Sequence, residues 1–168
     1  MKRNAAGRVA RLGLLFALAI ALSFLESLIP LPLPVPGVRL GLSNIVVMYT
    51  LFFCGRAEGA LLGCLKSVFV LLTRGPVAGL LSLSGGMLAI LAILLICKTL
   101  RDERYNAASV GGALTHNLGQ LAVASLLLGG GAALLPFVPL LAFAGIAVGV
   151  LTAASLRAVL PALQKISG

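Results

Sequence analysis

Acidic side chains are the scarcest charged class in this sequence: four Asp and Glu stand against thirteen Lys and Arg in 168 residues, and Trp is absent. Charged residues of both signs make up only 10%, while 60% are hydrophobic and the mean hydropathy is +1.14. A water-soluble domain carries charge on about a quarter of its residues, so this chain cannot clothe a water-facing exterior. Lipid is the solvent that the composition predicts. The shortage of acids also limits chemistry. Two-metal phosphate chemistry needs several carboxylates around its cations, and of Glu26, Glu58, Asp102 and Glu103 only the last two are adjacent. No metal site and no cofactor is predicted. There is no GxxxxGK[ST] loop to bind ATP. The single histidine, His116, has Thr115 and Ser125 on other helix faces rather than a nucleophile beside it, so an enzyme acting alone is not expected. Cys54, Cys64 and Cys97 form no CxxC pair and no even-numbered framework, and they read as small apolar core residues. Aromatics are 5% of the chain and do not interleave with the basic residues, so nucleic acid is not an expected partner.

What the sequence has in quantity is long apolar runs. Six can be marked, at about 9–29, 38–54, 59–73, 77–97, 107–128 and 132–156, each bounded by charge, Pro or Gly. A spanning helix needs about 20 apolar residues; the second run is at the lower limit and the third is short. Pro136 and Pro139 are expected to delay the start of the sixth helix. The reading is an all-α integral membrane protein, a single transmembrane domain over 1–168. Lys2, Arg3, Arg8, Arg11, Arg56, Lys98, Arg101, Arg104, Arg157 and Lys165 fall on one side of the six runs, Arg39 and Arg74 on the other, and Lys66 inside the third. Positive loops stay in the cytoplasm, so both termini are predicted to be cytoplasmic in a multi-pass cell-membrane protein surrounded by lipid. The basic start, Leu-rich run and Ala19-Ile20-Ala21 imitate a cleaved signal, but the apolar run continues to Ile29, so cleavage is not expected.

Polar side chains in hydrocarbon are costly and by default face the protein interior or a water-filled cavity. In the fifth run, His116, Asn117 and Gln120 lie within about a third of the helix circumference at ~100° per residue. Small residues such as Gly112, Ala113 and Gly119 lie on or beside that face, while Leu114, Leu118 and Leu121 take the opposite one. At about 1.5 Å per residue, His116 lies near the membrane midplane. Glu26, Asn44, Lys66 and the segment Ser84, Gly85, Gly86 gather at similar or outer depth from four other runs, and Ser82 to Gly86 are expected to interrupt the fourth helix. Two readings follow. The groups line an outward cavity for a small molecule, or they tie helices together through pairs such as Glu26–Lys66 or Asn44–His116.

The stretch "PLPLPVPGVRLG" places Pro at 30, 32, 34 and 36 with apolar residues between. Such a segment is stiff and non-helical, suited to a lid over 30–39 or to a plain connector. Arg39 and Arg74 fall at the predicted mouth and favour an anionic ligand. On the first helix, Gly13, Ala17 and Ala21 form a small-xxx-small stripe that suits either a partner helix or packing within the same bundle.

In order, "LSFLESLIPLPLPVPGVRLGLSNIV", "LSLSGGML" and "THNLGQL" resemble the bacterial membrane family of Gx transporters, whose members are also labelled heptaprenyl diphosphate synthase component I. That family is similar to the S components of energy-coupling factor importers. The resemblance implies a six-helix S-component-like bundle that captures a small molecule on its outer side, beneath a lid formed partly by the first outer loop. It also implies that Gly13, Ala17 and Ala21 dock a transmembrane T component driven by separate ATPases. On this reading the substrate, anionic or isoprenoid-related, is bound by His116, Asn117, Gln120, Asn44, Ser84, Gly85, Gly86, Lys66, Glu26 and Arg39. The synthase label implies an alternative. Prenyl synthases carry aspartate-rich DDxxD motifs, and this chain has one aspartate, so the label fits only a non-catalytic membrane accessory subunit of a polyprenyl diphosphate synthase. A third alternative is a self-contained carrier coupled to protons through Glu26 or His116.

Overall fold

The computed structural model describes residues 5–28, 41–100, 104–127, 129 and 132–167. Among the described residues six α-helices form, in chain order: α1 (Ala5–Ser27), α2 (Asn44–Phe53), α3 (Arg56–Arg74), α4 (Pro76–Thr99), α5 (Arg104–Leu127) and α6 (Val138–Ser167), the last preceded by a 3-10 turn over Ala132–Phe137. Pro136 lies inside that turn, so the two prolines do postpone the α-helix, whose far end runs well past residue 156. The second helix is shorter than its apolar run. It has ten residues, about 15 Å at 1.5 Å per residue, because 41–43 turns instead of extending the helix backwards. The third is longer than expected, at 19 residues. Its polar start, Arg56 to Glu58, is helical although it is not apolar.

α3 and α4 are antiparallel neighbours joined through one residue. Gly75 closes α3 and opens α4 with φ +89°, a left-handed conformation that a side chain disfavours, and Pro76 then fits the first helical position, where no N–H is needed. α4 runs unbroken from Pro76 to Thr99, which corrects the expected interruption at Ser82–Gly86. Glycine and serine weaken a helix by only fractions of a kcal/mol to ~1 kcal/mol each, and here packing against α5 outweighs that. α4 packs most extensively on α5, α5 on α6 and α3 on α4, whereas α1 touches α2 and α3 more lightly.

Among the described residues two apolar cores fill the bundle. One joins Ala19, Val46, Leu51, Leu62, Ile90 and Ile93; the other joins Leu81, Ala124, Leu134 and Leu141. The outside is also apolar. Leu72 is 79% exposed, Leu126 80% and Phe143 73%, an exterior suited to lipid rather than to water. Among the described residues, three helical stretches are long and apolar enough to cross a membrane: Ala5–Ser27, Pro76–Thr99 and Leu134–Ala158. α3 carries Arg56, Glu58, Lys66 and Arg74, and α5 carries His116, Asn117 and Gln120, which lowers their apolar character. The cysteines are not core residues: Cys64 is exposed, and Cys54 and Cys97 are half-buried.

Candidate functional site

α3 sets the axis of the site. Lys66, Val70 and Arg74 recur every fourth residue, on one face, and all three line a single polar cavity. α1 adds Ser23 and Glu26, one turn apart; the 41–43 turn adds Gly41 and Ser43; α4 adds Ala78 and Ser82; α5 adds Gln120. α2 contributes nothing to this wall, since it starts only at the level of Lys66. The cavity measures about 20 Å³, room for roughly one water. A second cavity of about 20 Å³ shares Gly41 and Lys66 with the first and is otherwise mainly apolar, with Asn44, Gly63, Gly86, Ala89 and Gly112 among its walls. Lys66 stands at the junction.

Each charge in the polar cavity is held by named groups. The Lys66 ammonium donates to Ser43 Oγ at 3.2 Å and to Asn44 Oδ1. Glu26 Oε1 accepts the backbone N–H of Gly41, fixing the turn to α1. Arg74 donates to the Ser23 carbonyl at 2.7 Å. Ser67 and Ser82 hydroxyls meet at 3.3 Å between α3 and α4. Lys66 and Glu26 are only 4% and 2% exposed, so the ions have been taken out of solvent and depend on these partners.

The α5 triplet does not act as one unit. His116 Nε2 and Gln120 Nε2 lie 2.7 Å apart. An amide N–H can only donate, so the imidazole Nε2 accepts and Nδ1 carries the ring proton. Nδ1 faces the Gly85 backbone, without a hydrogen bond of regular geometry. Gln120 reaches the polar cavity. Asn117 turns the other way and donates from Nδ2 to the Leu141 carbonyl of α6 at 2.7 Å. Asn117→Ala is therefore expected to destabilise the fold by about 1–2 kcal/mol, while His116→Ala, losing a bond within its own helix, leaves the α5–α6 contact intact. Thermal unfolding of both variants in detergent checks this; equal midpoints would refute it.

Of the residues singled out from the sequence, Glu26, Lys66 and Gln120 meet in the polar cavity, and Asn44 and Gly86 join Lys66 in the second. The anticipated Asn44–His116 bond is replaced by Lys66–Asn44. Ser84 is occupied in holding α4 to α5, donating to Gly119 O at 3.2 Å. Gly85 serves packing: a Cβ there would stand 2.7 Å from His116 Nδ1 and 2.7 Å from its carbonyl oxygen. Arg39 and the expected lid over 30–39 lie outside the described residues. Ser23, Gly41 and Ser43 had not been anticipated, nor Arg74 as part of the cavity wall. Spacing could have found two of them, because Ser23 is i−3 from Glu26 and Arg74 is i+8 from Lys66. The leucines opposite the triplet divide. Leu118 is 55% exposed, but Leu121 packs on the second core and Leu114 lies against Gly145 of α6, so only the first faces outward. Gly13, Ala17 and Ala21 are all exposed, and a Cβ on Gly13 would meet nothing within 4 Å. The stripe faces away from its own bundle.

The family model of heptaprenyl diphosphate synthase component I matches residues 15–159. The chain belongs to that family. No curated protein matches it. In fold, this component I chain is similar to a solved structure titled "Structure and mechanism of the S component of a bacterial ECF transporter", with a TM-score of 0.70 and 19% identity, over 95% of this chain and 96% of the other. That likeness is one of fold and covers nearly the whole of this component I chain. Among the described residues, no three His, Cys, Asp or Glu side chains stand close enough to hold a metal ion.

Proposed function

We propose that this component I chain is the substrate-binding subunit of an importer of the energy-coupling factor kind. It crosses the cell membrane six times with both termini in the cytoplasm, and takes up a small molecule at the Arg74 end of the bundle, which faces outward. The observation that carries this reading is a cavity with both signs of charge, walled by α1, α3, α4 and α5, inside a bundle whose fold is shared with an S component over nearly its full length. The cavity has room for about one water, so capture requires the 41–43 turn to yield. The chain holds no ATP-binding loop, and energy comes from a T component and ATPases docked on the outward stripe of α1.

Native mass spectrometry of the purified chain tests the proposal. A bound small molecule is expected in the wild type and is expected to be lost in Gln120→Ala, whose side chain lines the cavity. A chain that carries no small molecule from any growth medium, and takes none up when co-expressed with a T component and ATPases, would refute it. The family's name favours a second reading, an accessory subunit of a polyprenyl diphosphate synthase. Co-purification of a soluble synthase, abolished when Arg101 and Arg104 are neutralised, would be its signature.

A further inference from the structure

Charge is not balanced in the polar cavity. Lys66 and Arg74 line it with one carboxylate, Glu26, a surplus of one positive charge in a site where Lys66 and Glu26 are buried and Arg74 is half-buried. The rest of the chain cannot supply the missing negative charge. Its other acids are Glu58, Asp102 and Glu103. Glu58 is in the first turn of α3, paired with Arg8, and α3 is 19 residues long, so the first turn lies about 24 Å from Arg74 at 1.5 Å per residue. Asp102 and Glu103 are tethered to the far end of α4 within four residues of Thr99. That helix has 24 residues, about 36 Å, and a tether of four residues reaches no more than about 14 Å. The only charged residue in 29–40 is Arg39, which can only enlarge the surplus.

A buried surplus of charge is disfavoured; Glu26 acts on Lys66 from across the cavity, but the groups that accept hydrogen bonds from Lys66 are neutral: Ser43 Oγ and the Asn44 side-chain carbonyl. We infer that the cavity between Lys66 and Arg74 is an anion site, taking the carboxylate or phosphate group of its ligand, with Lys66 as the residue that receives the charge. This rests on the capture reading and narrows it to a substrate class. Glu26 then has a separate part. It holds Gly41 in place and limits the surplus, so the empty site survives while an anion is still preferred. The second cavity, with its glycine and alanine walls, continues from Lys66 into apolar surroundings and suits the uncharged part of the same molecule.

The test uses the full chain in phosphatidylcholine nanodiscs with acetate, acetamide and acetamidinium, three probes of one shape and of negative, zero and positive charge. At equal ionic strength acetate is expected to raise the thermal unfolding midpoint, and the other two are not. Lys66→Met is expected to weaken acetate binding roughly tenfold or more, as for the loss of a charge-assisted hydrogen bond. A probe-free measurement guards against a merely misfolded variant. Lys66→Met leaves Glu26 and Arg74 balanced, so without acetate it melts no lower than the wild type, whereas Glu26→Gln raises the surplus to two and melts lower. An equal response to the three probes together with no stabilisation by an anionic lipid overturns the inference, as does an acetate response that survives in Lys66→Met, or a Lys66→Met midpoint well below that of Glu26→Gln. Nanodiscs with added phosphatidylglycerol separate the sources. Stabilisation by the anionic lipid but not by acetate, lost in Lys66→Met, keeps the anion site and assigns it to a lipid headgroup. The capture reading fails separately, if the chain proves to carry no solute at all.

Discussion

Gly119→Val is expected to leave little folded protein, and in whatever folds, to lower the thermal unfolding midpoint by about 5–10 °C. A Cβ at position 119 would lie 2.9 Å from Gly85 Cα, 2.9 Å from Ser84 O and 3.0 Å from a Leu88 methyl group. Two of those atoms are backbone, which cannot rotate away, so α4 and α5 would have to separate along the contact that also positions His116 against Gly85. Dispersion contacts fall off within an ångström of separation, and in lipid no hydrophobic gain drives the helices back together. Gly86, the next residue after Gly85, gives the contrast. Nothing lies within 4 Å of a Cβ there, and alanine in a helix restricts the unfolded chain, so Gly86→Ala should melt at or slightly above the wild-type temperature. Midpoints followed by circular dichroism in one detergent decide the matter. Equal losses in the two variants would mean that α4 and α5 do not approach as closely as this.

The second large effect is expected at the α1 surface. Ala17→Leu with Ala21→Leu should reduce co-purification with a co-expressed T component roughly tenfold and should leave the unfolding midpoint of the isolated chain unchanged. Both alanines are exposed along with Gly13, so the added methyl groups enter lipid, where leucine is at home, and disturb no contact of the fold. A partner helix, in contrast, approaches closely only over small residues. Undiminished association would move the docking surface away from α1. A lower midpoint of the isolated chain would show that the stripe packs within its own bundle.

Much of the architecture is legible in the residues. Apolar runs separated by charge and proline mark six helices, and those helices form. Their ends were less legible. The helix at 44–53 lost the first part of its apolar run to the turn at 41–43, and α3 gained Arg56 to Glu58, because boundaries depend on what each end meets rather than on hydropathy. The polar residues inside the bundle were legible as a set, although of the fifth-helix triplet Gln120 lines the polar cavity and His116 and Asn117 do not. Expense in hydrocarbon is a property of side-chain chemistry alone, so Glu26, Lys66, Asn44 and the His116 to Gln120 segment could be recognised before any of their neighbours was known.

Pairing was another matter. Whether Lys66 meets Asn44, whether Asn117 turns to Leu141, and whether Ser84 faces a cavity or a backbone carbonyl all depend on the rotation of each helix about its axis. That rotation is set by the close approach of Gly85 to Gly119 and of α5 to α6. The sequence by itself determined that this chain is apolar, helical and short of acids, because composition and periodicity are local properties that no partner can alter. Only the tertiary structure decided which cations share a cavity with Glu26 and which face of α1 is left outward, because those are distances between segments far apart in the chain, fixed when the helices pack.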